Sequence, residues 1–77
     1  MSKIRDLEEI AEIISIAIRR EQASIKYYER ASNKATTESA KDAFSLLLEQ
    51  ERGHEARLRA QLHEIKAAIE FARMKSQ

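Results

Sequence analysis

Apolar residues recur along this chain at alternating steps of three and four, in two runs separated by a short polar stretch. In the first run Ile10, Ile14, Ala17, Glu21, Ser24, Tyr28 and Ala31 share one helical face, widened by Ile13, Ile18 and Ile25. The second keeps the same rhythm through Ala40, Phe44, Leu47, Glu51, His54, Leu58, Leu62, Ile65, Ile69 and Ala72, flanked by Ala43, Leu48 and Ala68. The pattern predicts helix one over about 5–32 and helix two over about 37–73. Between them Asn33 is a helix-ending candidate, and Thr36 and Thr37 are N-cap candidates, although Ser39 stands where a capping box from Thr36 would place Glu or Gln. A connection of about five residues joins antiparallel neighbours. The fold class is therefore all-α, with residues 1–77 forming a single antiparallel two-helix hairpin.

Composition says what that hairpin lacks. The 77 residues include no Cys, no Pro and a single Gly, Gly53. Disulfides, thiolate metal sites and phosphate-cradling Gly loops are excluded. Chains below about 80 residues seldom bury enough surface to stand alone, so a metal or a partner chain has to supply the remaining support. Two such hairpins packed about a two-fold axis make a four-helix bundle, and a homodimer is the expected state. Charge points to no further partner: 14 basic residues against 13 acidic ones leave +1, too weak a field for nucleic acid. Residues 1–10 carry Lys3, Arg5, Asp6, Glu8 and Glu9, so they form no secretory leader, and no apolar run is long enough for a membrane span. A helix lying on a membrane surface would present Glu8, Glu9 and Glu12 where anionic lipid favours Lys and Arg. Neither nucleic acid nor membrane is expected as a partner, and the expected location is cytoplasmic.

Both seams are interrupted by ionisable residues at one height. With the turn near residue 36, Glu21 and Glu51 lie equally far from it and face each other. His54 follows Glu51 by three residues, which puts both side chains on one face about a turn apart. A two-fold dimer gathers four Glu and two His. Four buried carboxylates are costly unless protonated, paired or bound to metal, and two divalent cations neutralise them. Carboxylate oxygens with one imidazole per ion suit iron or manganese better than a structural zinc, though affinity also admits zinc. The candidate ligands are Glu21, Glu51 and His54, with one metal per chain. The plain alternative pairs Glu21 with Arg19, Arg20 or Lys26, and leaves Glu51 and His54 on a solvated face between Glu49 and Arg59.

Other residues receive lesser roles. Tyr28 lies two turns beyond Glu21, where it can bond a ligand carboxylate, donate an electron or fill the core; core filling, with the hydroxyl bonded to a ligand, is the preferred reading. Tyr27 is expected at a flank or interface, and Phe44 and Phe71 in packing. His63, beside Leu62, is expected on the surface. Glu55, beside the seam, and Glu49 and Glu70, further off, are expected to pair with nearby Arg and Lys rather than to form a secondary site. Gly53 costs a helix about 1 kcal/mol relative to Ala and leaves room for the approach of another chain.

The stretch from Ala17 to Leu62, with Glu21, the Tyr27-Tyr28 pair and Glu51-Arg52-Gly53-His54, resembles half of a rubrerythrin-type ferritin-like domain. Ferritin-like carboxylate proteins take one Glu from each of two helices and Glu-x-x-His from each of the other two. This chain carries one hairpin and so looks like the half-ferritins, including encapsulated ferritins, that complete a di-iron site by dimerising. The resemblance implies Glu21, Glu51 and His54 as iron ligands, Glu51 bridging, Tyr28 beside them, and oxidation of Fe(II) by oxygen or peroxide. An encapsulating shell protein is a partner that the resemblance to encapsulated ferritins suggests, while the apolar residues of helix one before Glu21 and of helix two after Leu58, still to be covered, allow a larger ring of dimers. Two departures stand out: the rubredoxin-like Cys-x-x-Cys pairs of peroxide-reducing rubrerythrins are absent, and the last residues, Met74-Lys75-Ser76-Gln77, are not the apolar targeting tail usual in encapsulated ferritins.

Three functions compete on this reading. A ferroxidase requires one iron per chain and no site in a lone chain. A rubrerythrin-like peroxidase or an oxidase of an organic substrate requires a pocket beside the metals. A non-catalytic dimerisation scaffold uses the buried charges only to fix register.

Overall fold

The computed structural model describes residues 2–76, so Met1 and the chain-terminal Gln77 lie outside the described residues. Two helices account for nearly all of it: α1 (Lys3–Lys34) and α2 (Glu38–Lys75). Both extend beyond the predicted spans because of local chemistry at their ends. The Ser2 hydroxyl caps α1, accepting from the Ile4 N–H at 3.2 Å and the Arg5 N–H at 3.4 Å. Thr37 is the cap of α2 rather than its first residue, its hydroxyl accepting from the Ala40 N–H at 3.1 Å. Asn33 does not end α1. The helix runs on to Lys34, and Ala35 leaves it in an extended conformation with its N–H bonded to the Ser32 carbonyl. No described residue has positive φ, so the connection needs no glycine. At the far end the Ser76 N–H reaches the carbonyls of Ala72 and Arg73, which carries α2 two residues past Arg73.

The pair measures 60 × 15 × 13 Å. At 1.5 Å per residue, helices of 32 and 38 residues are about 48 and 57 Å long, so the two must lie side by side. Ion pairs between the helices confirm the antiparallel sense. Arg73 near the end of α2 reaches Glu8 near the start of α1 at 3.0 Å, and Arg52 reaches Glu29 at 3.2 Å. Exposed pairs of this kind contribute at most about 1 kcal/mol each.

Packing corrects the predicted seam. The side of α1 turned to α2 is led by Leu7, Ile14, Ile18, Glu21, Ile25 and Tyr28, all at least partly covered. Ile18, expected as a flank, is only 6% exposed, whereas Ile10, expected in the seam, is 43% exposed. On α2 the covered line runs through Phe44, Leu48, Glu51, Glu55, Leu58, Leu62, Ile65 and Ile69. His54 therefore stands at its edge and Glu55 within it, the reverse of the expectation. The reason is that α1 is apolar over a wider arc than one neighbour can cover. A second stripe, Ile10, Ile13 and Ala17, continues past Glu21 to Ser24 on the open side, with Ile13 65% exposed. Among the described residues only Ile18, Leu48 and Ile69 are buried. Phe71, expected in packing, is 61% exposed.

Candidate metal centre

Glu21, Glu51 and His54 meet midway along the hairpin. Each offers a ligand atom, and these atoms lie within 4.8 Å of one another. The His54 Nδ1 is 3.8 Å from the Glu21 Oε2 and 3.8 Å from the Glu51 Oε1. These separations are too long for hydrogen bonds. An ion bonded at about 2.0–2.2 Å to each ligand spreads them by at most about 4.4 Å, close to the spread seen here. The helical periods account for the convergence: Glu51 and His54 are one turn apart on α2, and the hairpin sets Glu21 opposite them.

The electrostatics fit a cation and little else nearby. Glu21 Oε2 is buried and has no hydrogen-bond partner. No Arg or Lys among the described residues pairs with Glu21 or Glu51, so the alternative of Arg19, Arg20 or Lys26 neutralising Glu21 is not what the fold does. The Glu21 carboxyl is held above its ordinary value, first by the Glu51 carboxyl facing it, then through desolvation and through the negative charge of Glu51. His54 opposes that shift, and Glu55 adds to it weakly. A carboxyl whose affinity for a proton is raised by a second carboxyl is one whose charged form a nearby cation would favour. The donor set of two carboxylates and one imidazole, with an unpartnered buried oxygen among them, fits iron or manganese.

The neighbours fall as follows. Tyr28 packs in the hairpin with its ring stacked on Phe44, 6.5 Å between centroids, and edge-on to Tyr27 at 5.6 Å. Its hydroxyl bonds neither Glu21 nor Glu51 within the single chain, since seven helical residues set it about 10 Å along α1 from Glu21. Tyr27 is 60% exposed. His63 is exposed and away from the cluster. Glu49 is exposed, and Glu70 pairs with Arg73 at 3.2 Å. Glu55 pairs with Arg59 at 2.8 Å and accepts from the Gln22 amide at 3.2 Å, tying α2 to α1 on the side away from His54. Arg59 chiefly lowers the Glu55 carboxyl's affinity for a proton, desolvation opposes it, and Gln22 adds a smaller lowering.

Sequence reasoning missed this Gln22–Glu55 tie and the groove beside the cluster, which Arg57, Leu58 and Gln61 border together with Glu21 and His54. The signal was available: Glu55 follows Glu51 by four residues, Leu58 follows it by seven and His54 by four, and Gln61 follows His54 by seven. All of these are same-face spacings.

The comparisons agree with the geometry. No curated protein and no solved structure matches the chain. The family model described as rubrerythrin matches residues 2–62, a span that takes in the hairpin connection and Glu21, Tyr28, Glu51 and His54. On that match the chain belongs to the rubrerythrin family, within the iron-binding ferritin-like superfamily.

Proposed function

We propose that two copies of this hairpin pack into a four-helix bundle around a shared pair of iron ions, and that the assembly oxidises Fe(II). The observation that carries the reading is the half-built site. Glu21, Glu51 and His54 supply three ligand atoms at nearly metal-binding spacing, with one buried carboxylate oxygen unpartnered, on the edge of a hairpin whose adjoining face is apolar and uncovered. Ile10, Ile13 and Ala17 lie along the same edge of α1 as Glu21, so a second copy covering them also covers the cluster. The occupant is argued from this chain itself: two-fold pairing doubles the ligands to four Glu and two His, and charge then balances at one divalent ion per chain.

Within that assembly each side chain has a defined task. His54 gives each ion its one nitrogen ligand. Glu21 and Glu51 would hold the ions and neutralise their charge. Because neither carboxylate is held by Arg or Lys, both are free to change how they bind as the charge between them changes. A cation held there would favour the charged form of Glu21 against its raised affinity for a proton. Bound iron supplies the redox couple by which two Fe(II), losing one electron each, reduce dioxygen or peroxide. Manganese and zinc are the expected substitutes, and zinc would fill the site without turnover.

The test is to add Fe(II) anaerobically to the protein and to Glu51→Ala, admit dioxygen or peroxide, and follow Fe(III) formation. The reading predicts oxidation faster than in protein-free buffer for the parent chain and at the buffer rate for Glu51→Ala. Oxidation at the buffer rate with both oxidants in the parent chain would overturn it.

A further inference from the structure

The groove beside Glu21 and His54 holds a cation that the hairpin leaves unpaired. Arg57, Leu58 and Gln61 border it together with those two residues, around a volume of about 480 Å³. His54 lies three residues before Arg57 and Gln61 four after it, so the three side chains share one edge of α2. Helical spacing explains why the guanidinium is free. The residues three and four away from Arg57 are Gly53, His54, Ala60 and Gln61, none of them acidic. Arg59 and Arg73, by contrast, find Glu55 and Glu70 at such steps, and Arg52 crosses to Glu29. Arg57 has no ion-pair partner among the described residues. A long helical side chain covers the turn before its own Cα, which for Arg57 is the turn of Gly53 and His54. Gly53 leaves that turn bare, since even a Cβ placed on it would meet nothing within 4 Å.

Charge then asks for an anion. Glu21 and Glu51 balance one divalent ion per chain, so with the ion in place Arg57 leaves one positive charge over in the groove. A guanidinium presents paired N–H donors that match the oxygens of a carboxylate or a phosphate, and the Gln61 amide adds a neutral donor one turn away. We propose that the groove is an oxyanion site in which Arg57 and Gln61 hold a small phosphate or carboxylate anion beside the metal ion. The proposal rests on the metal reading above, because without the ion the two carboxylates repel an anion. Ion and anion then bind cooperatively, each tightening the other by the same factor. On this account the chain takes up its metal best in the company of such an anion, and Arg57 is what makes the difference.

The experiment is a titration with Mn(II), followed by the electron paramagnetic resonance signal of the free ion, in chloride, acetate or phosphate at equal pH and ionic strength. Protein-free titrations correct for Mn(II) held by the anions themselves. Acetate, phosphate or both are expected to tighten Mn(II) binding by about fivefold or more in the parent chain. The same is expected of Arg30→Gln, which removes a charge on the side of α1 opposite Glu21. The anion that acts identifies the source, acetate standing for carboxylates and phosphate for itself. Arg57→Gln is expected to bind Mn(II) in chloride at least as tightly as the parent does, because a positive charge beside the ion has gone, and to show no tightening by either anion. An arginine with only a structural role would not separate the two effects. Mn(II) bound in chloride but no tighter in either anion, or tightening that survives in Arg57→Gln, would overturn this proposal and leave the metal reading standing. Mn(II) bound in none of the three salts would overturn both.

Discussion

At the scale of single residues, the decisive feature is a carboxyl whose affinity for a proton is raised by its neighbours. A group whose affinity for a proton is raised by folding stabilises the fold while protonated, fully below its unfolded value and no longer once pH has risen through its folded value. Glu21 is such a group, so the metal-free protein should lose stability as pH rises from 4.5 through the raised value of Glu21. Glu55 works the other way, because Arg59 and Gln22 favour its charged form and that contribution fades as pH falls. Glu21→Gln separates the two. Thermal melts of the metal-free variant should keep the acid-side loss and lack the decline above it. Metal binding should also release a proton from Glu21, seen as acidification of a weakly buffered solution near the same pH and missing in Glu21→Gln.

At the scale of elements, α1 has two apolar faces with different duties. Ile18 is buried between the helices, and Ile18→Ala should cost the hairpin about 2–4 kcal/mol by denaturant titration. Ile13 is largely exposed in the single hairpin, so Ile13→Lys should leave α1 helical and weaken pairing of copies instead, read as a lower mass at equal concentration. Much of this was legible in sequence. Steps of three and four gave both helices, and equal distance from the turn gave the meeting of Glu21 with Glu51. Less legible was which of two adjacent stripes faces the neighbour. Ile10 and Ile14 continue the rhythm as well as Ile14 and Ile18 do, and only packing against α2 decides between them. The same ambiguity moved Glu55 inward and His54 to the edge. Thr37 caps α2 as its residue type suggested, whereas the other helix ends were missed by one or two residues because they depend on backbone geometry beyond the periodic positions, as with the cap at Ser2.

At the scale of the whole molecule, a hairpin 60 Å long and about 15 Å across has no interior of its own. Three buried residues among those described, an uncovered stripe on α1 and an orphaned carboxylate oxygen support the proposal that the chain is one unit of a larger assembly. A metal shared between copies binds only the assembled state, so it should stabilise that state by about 2.7 kcal/mol when free metal stands at a hundred times its dissociation constant. A chelator should lower the melting temperature and make it depend more steeply on protein concentration. The most direct test of the central claim is iron per chain after anaerobic Fe(II) addition and desalting, for the parent chain and for His54→Ala. The account predicts a ratio near one that falls close to zero in the variant. Iron absent from both, or retained equally by both, would contradict a metal centre built from Glu21, Glu51 and His54.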